Sequence, residues 1–253
     1  MFSKKKRNKI LVFSLVFTLV IMLGSTVYAV NIFPFGEIGW GGTPQDTAVS
    51  VQIILLLTIL SLAPSILIMM TGFTRIIIVL GFVRNALGLQ QSPPNQVLIG
   101  LALFLTLFVM NPVITDIKTN AYEPYISRGI SQEVALDRTE QSLKSFMLKQ
   151  TYSKDMNLFL SLANEDVPET YDEIPISTVI PAFITSELKR ALQIGFFIYL
   201  PFIVIDMIVS SALMSMGMMM LPPVMISLPF KILLFILVDG WNLVIKTLIT
   251  SFS

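Results

Sequence analysis

"FTRIIIVLGFVRNALGLQQSPPNQVLIGLALFLTLFVMNP", Phe73 to Pro112, holds two arginines and no acid, and sets a Pro-Pro pair between apolar text on either side. Proline lacks an N–H and has φ fixed near the helical value, so it suits the first turn of a helix, where that N–H would have no partner. Pro93 and Pro94 therefore mark a turn after which an apolar helix restarts over Asn95 to Met110. Upstream, Val49 to Met70 is apolar apart from Ser, Thr and Gln52, with Pro64 inside it. These two runs predict a helical hairpin over residues 49–112, with Arg75 and Arg84 in the connection between them.

The same pattern recurs near the C-terminus. Ala191 to Leu213 and Val224 to Ser251 are apolar runs on either side of Pro222 and Pro223. They predict a second hairpin over residues 186–253, whose turn is rich in methionine. Between the hairpins, residues 113–185 are polar: from Asp116 to Glu173 there are 11 acids against six bases. Charges alternate in sign along "SQEVALDRTEQSLKSFMLKQT", the pattern of a solvated helix. The expected fold is all-α: two apolar helical hairpins around an acidic helical middle.

Composition sets the class. Hydrophobic residues are 54% and charged residues 13% of the chain, and mean hydropathy is +0.78, against the roughly 45–50% apolar and 25% charged of a soluble domain. The chain belongs in or against a membrane. It has no Cys and no His, which removes thiolate nucleophiles, disulfides, imidazole-bound zinc or haem and the usual near-neutral proton shuttle. The expectation is for no enzyme activity, no catalytic residue, no metal, no cofactor and no nucleic-acid partner.

Five of the 17 basic residues are Lys4, Lys5, Lys6, Arg7 and Lys9, followed by the apolar run Ile10 to Leu23 and by "GSTVYA" ending at Ala29. A basic start, a short apolar core and a small-residue end read as a signal peptide over residues 1–29, removed by signal peptidase after Ala29. The alternative is a retained first anchor helix, although 14 apolar residues are few for a span. Residues 30–48 contain four Gly and two Pro and read as an extended arm.

With the signal removed, the positive-inside rule puts Arg75 and Arg84 inside and the acidic segment outside. Lys189 and Arg190 then fall at the outer end of the third run, and the inner methionine turn has no charge. Asp206, Lys231, Asp239 and Lys246 lie within the apolar runs. A charge at mid-bilayer costs at least about 2.5–3.5 kcal/mol, so such groups face protein or water and find partners. The reading is that Asp206 and Lys231 pair on facing helices, of one hairpin or of neighbouring subunits, while Lys246 can snorkel from a helix end.

"MSMGMMMLPP", Met214 to Pro223, puts five methionines into seven residues of a chain with 14. Thioethers alone could suggest Cu(I), but neither Cys nor His is present to complete a tight site. Packing filler explains isolated methionines better than a cluster at a turn. Flexible, polarizable side chains there would make a compliant apolar surface, able to form a constriction of the kind that gates by dewetting.

Phe73 to Pro112, together with "PAFITSELKRALQIGF" (Pro181 to Phe196), "MMMLPP" and "LPFKILLFILVDGW" (Leu228 to Trp241), resembles the FliP family of flagellar type III export-gate proteins and their SctR relatives in virulence systems. The likeness runs from about Val49 to the C-terminus. The resemblance implies several copies assembling with FliQ and FliR, and with FlhB and FlhA nearby, at the flagellar basal body of the bacterial inner membrane. Unfolded flagellar subunits would pass through the resulting entrance. It further implies that Met218, Met219 and Met220 form a gasket around the closed pore, that Glu187, Asp206 and Lys231 make intersubunit or interhelix charge pairs, and that the assembly sits largely above the bilayer. A small-solute transporter is the competing class, which would need midplane sites built on broken helices; Pro64 and the charges in the apolar runs are its support.

Overall fold

The computed structural model describes residues 44–163, 170, 173–218 and 220–252. The expected signal peptide, most of the expected arm and Met219 lie outside the described residues. The chain divides into two compact units, Met1–Ser61 and Leu62–Ser253, and no strand occurs among the described residues.

The description begins with α1 (Pro44–Met69), whose residues up to Ser61 belong to the first unit. Its first residue is a proline, preorganised for the first helical position, so the end of the stretch expected as an extended arm is helical. Ile54, Leu55, Leu56, Ile59 and Leu60 stand exposed along it.

The second unit carries the remaining helices. They are α2 (Phe73–Ala86), α3 (Asn95–Ile117), which continues through a π-helical turn at Lys118–Tyr122 into the short α4 (Glu123–Ile126), α5 (Gln132–Gln150), α6 (Ser153–Ala163), α7 (Ile176–Ser215), α8 (Pro223–Leu237) and α9 (Gly240–Thr250). Three of these differ from the sequence expectation.

Phe73–Ala86 is a helix and not a charged connection. Ile76, Val79, Leu80, Val83 and Ala86 are fully buried, a stripe at helical spacing that the neighbouring Ile77 and Ile78 obscure in the sequence. Gly88, at φ +74, lets the chain leave the helix in the left-handed region. The Pro93–Pro94 turn thus joins α2 to α3, with Pro94 capping the start of α3. The hairpin that turn makes is α2–α3.

The second difference is α7, one helix of 40 residues from Ile176. The boundary expected between residues 185 and 186 falls inside it. The third is a break in the run expected to continue from Val224 to Ser251: α8 and α9 meet at a bend of 65°. Asp239 at the break has φ 49, which Asp tolerates better than most residues. A Cβ on Gly240 would sit 2.3 Å from the Phe235 ring, so close packing requires glycine there.

Two apolar cores hold the second unit. The larger joins α2, α3, α7, α8 and α9 through residues such as Ile76, Val83, Ala102, Ala191, Phe235 and Leu248. The smaller joins α5, α6 and the start of α7 through Met147, Met156, Leu160, Val179, Ala182 and Phe183. Burial here decides the folding more than helix propensity does, because β-branched residues crowd α2. Two stretches, Asn95–Ile126 and Ile176–Ser215, are long and apolar enough to cross a bilayer, and the bent α8–α9 pair is a third if it acts as one span.

Candidate functional site

The α7–α8 hairpin explains the methionine cluster locally. Gly217 has φ +73; its N–H donates to Met214 O at 3.1 Å and the Met218 N–H donates to Leu213 O at 3.0 Å. That pair of bonds is a Schellman closure, in which a left-handed residue satisfies the last carbonyls of a helix. Five residues later Pro222 caps α8 and Pro223 is its first residue. Met218 and Met220 therefore lie in the turn itself, with helix stopped before them and restarted after them. Met220 is 99% exposed and Met218 and Met216 are also exposed.

Below the turn the hairpin is clamped by charge. Lys231 Nζ lies 2.6 Å from Asp206 Oδ2, and the Ser227 hydroxyl donates to Asp206 Oδ1 at 2.5 Å. Ser227 and Lys231 are four residues apart on α8 and so share a face. The Lys231 side chain is only 3% exposed and that of Asp206 28%. Phe202 and Phe235 meet across the same two helices with ring centres 6.5 Å apart. The two residues are thus facing members of one hairpin in one chain.

Glu187 sits elsewhere, in a polar knot between the two cores. Its carboxylate takes both the Nε and an Nη of Arg75, a bidentate pair in which both side chains are fully buried. The guanidinium donates further to Ser251 O at 2.7 Å, Ser251 Oγ at 2.9 Å and Gln150 Oε1 at 2.9 Å. Phe252 covers it, with the ring centre 3.7 Å from Cζ, a cation–π contact. Arg190 reaches the same Gln150 oxygen at 2.9 Å and stacks on Tyr152 at 4.8 Å. The partner of Glu187 is therefore Arg75 of its own chain, 112 residues away. An arginine expected in an inner connection instead neutralises a carboxylate on α7.

A third pair ties α6 to α7. Lys189 Nζ lies 2.7 Å from Asp155 Oδ1, and the Ser186 hydroxyl donates to Asp155 Oδ2 at 2.8 Å. The bond from Lys189 holds the Asp155 carboxyl below its ordinary range, against the upward push of burial and with help from Ser186. Asp239 and Lys246 are exposed, the first at the α8–α9 break and the second on α9.

Asp206 and Lys231 stand out in the sequence as charges in apolar text, whereas Glu187 was expected only from the family resemblance. Arg75 was expected only as a charge in a connection, and Gln150, Ser227, Ser251 and Phe252 carry no local signal. Three carboxylates are matched by cations, Asp206 by Lys231, Glu187 by Arg75 and Asp155 by Lys189, and the described side chains exposed at the tip include the thioethers of Met216, Met218 and Met220. Such a tip conforms to apolar surfaces and bonds to little else.

A profile described as the FliP family matches residues 56–248. The flagellar biosynthetic protein FliP of Bacillus subtilis (strain 168) is 55% identical over 223 residues, covering 88% of this chain and 98% of that protein. The FliP of Pectobacterium carotovorum is 52% identical over 210 residues, covering 82% and 81%, and that of Aquifex aeolicus is 50% identical over 206 residues, covering 81% and 86%. With this much of its length matched, the chain belongs to the FliP family of flagellar biosynthetic proteins.

Proposed function

We propose that this chain is a core subunit of the flagellar type III export gate in the bacterial inner membrane. Several copies assemble with FliQ and FliR, beside FlhB and FlhA, around a pore through which unfolded flagellar subunits leave the cell, and the flagellum does not form without it. Signal peptidase removes residues 1–29 on the way. The observation that carries this reading is the methionine turn: thioether side chains exposed at the tip of a charge-clamped hairpin, Met220 almost completely and Met216 for the greater part. Gathered around an axis, Met218, Met219 and Met220 close a pore by contact and by excluding water, and yield to a passing chain because thioether side chains are soft. The clamp at Asp206, Ser227 and Lys231 fixes the height of that turn.

The test is to change all three methionines to alanine in the purified complex. The complex should assemble in normal yield, because the buried contacts lie elsewhere, while its conductance to ions or small solutes rises. Changing them to leucine keeps the volume but not the flexibility, so leakage should stay small and export should slow. An assembled alanine complex as tight as the parent would sink the gasket assignment.

A further inference from the structure

The second unit contains an open apolar groove of about 490 Å³, lined by Ile194 and Phe197 of α7, Leu234 and Phe235 of α8, and Leu243 and Val244 of α9. One of its walls is α9, a helix of only 11 residues. That wall is held unevenly. At its start it joins α8 across the 65° bend, with Asp239 in the left-handed region. At its far end the chain is fastened to the polar knot: Arg75 donates to Ser251 O and Oγ, the Gln150 amide donates to Phe252 O at 2.9 Å, and the Phe252 ring lies on the Arg75 guanidinium. The ring also fills the space above Gly72, where an added Cβ would come within 2.7 Å of it. Between these points Val244 and Leu248 are the buried side chains that hold α9 down, apart from Gly240 at its start.

We propose that α9 is a hinged strap, pivoting at Asp239–Gly240 and latched by Ser251 and Phe252 onto the Arg75–Glu187 pair. The arrangement favours this because the hinge and the latch rest on different physics. The hinge is two backbone residues at a bend. The latch is a set of charge-assisted bonds and a cation–π contact, which fail together once Phe252 lifts and water reaches the guanidinium. A short helix with two buried anchors opens locally more easily than the cores on either side. Release of the latch frees one wall of the groove, exposes Val244 and Leu248, and leaves the smaller core of α5, α6 and α7 in place. The Arg75–Glu187 pair thus acts as the keeper of a movable element, beyond its part in joining the cores.

The chain has no cysteine of its own, so an introduced thiol is the one labelling site on it, read on the separated chain. Two reporters are placed in the full chain within its purified complex: Val244→Cys on the strap and Ala182→Cys in the smaller core, both buried positions. Phe252→Ala should raise maleimide labelling of Val244→Cys by about tenfold and leave that of Ala182→Cys within about twofold, as expected for local opening. Phe252→Tyr, which keeps the ring, should label like the parent. Should Phe252→Ala not accumulate, Gln150→Ala removes the bond to the Phe252 carbonyl and should give the same ordering. Both reporters rising together would mean general loosening and overturn the proposal; so would a strap reporter that stays protected when the latch is removed.

Discussion

At the scale of residues, the ion pairs do not all respond to the same change. Lys231 is buried against Asp206, so Asp206→Ala strands a lysine in an apolar hairpin, which typically costs on the order of 3–5 kcal/mol. Assembly yield should fall far more than for Asp137→Ala, whose carboxylate lies on an exposed face of α5. Reversing both members, Asp206→Lys with Lys231→Asp, should restore part of the yield; a double variant no better than either single one would show that the pair is not what holds the hairpin. Asp155 gives a pH signature. Its folded pKa is depressed by Lys189, so it contributes stability at pH values above its unfolded pKa, about 4, and loses that contribution as pH falls from there through the folded value. Thermal unfolding of the solubilised chain should weaken along this acid limb, and Asp155→Asn should flatten it; an unchanged acid limb would remove Asp155 as its source. Asp206 and Lys231 were legible in the sequence because each interrupts an apolar run. The pairing of Arg75 with Glu187 was not, since 112 residues separate them and nothing local marks either as the other's partner.

At the scale of elements, contact between α2 and α7 depends on a missing side chain. A Cβ on Gly195 would meet the Phe82 ring at 2.5 Å, so Gly195→Ala should push the ring aside or part the helices. Overpacking of this kind costs roughly 1–3 kcal/mol. Phe82→Leu in the same chain should recover much of the loss, measured as the thermal midpoint of the solubilised protein; a double variant as unstable as Gly195→Ala alone would place the strain elsewhere. The proline turns were legible because proline's missing N–H has one comfortable place in a helix. The helix over Phe73–Ala86 was not: Ile77 and Ile78 partly bury too, which blurs the period that an amphipathic face would show. The break at Asp239–Gly240 left a signal that the hydropathy of the run outweighed, since Asp-Gly is a turn dipeptide.

At the scale of the whole molecule, composition alone placed the chain at a membrane, and contiguous motifs placed it in its family. What sequence could not supply was the way segments far apart share one knot, because burial and pairing are properties of the assembled cores. One consequence follows from α7. At 1.5 Å per residue its 40 residues extend about 60 Å, twice the hydrocarbon thickness of a bilayer. Ser186, Glu187 and Lys189 fix its upper part to α2 and α6, and Asp206 fixes its lower part to α8, so both ends are set by one rotational phase. A single residue inserted after Leu200 turns the following part of α7, with Asp206 on it, by about 100° against the part held at Glu187, so the α8 and α9 contacts to Asp206 and to the larger core cannot both be kept. Seven inserted residues bring the phase back to within about 20° while lengthening the rod by about 10 Å. Complex yield should therefore collapse with one added residue and partly return with seven. Equal loss for both would mean that length, and not phase, is what α7 keeps constant between its charged end and its methionine end.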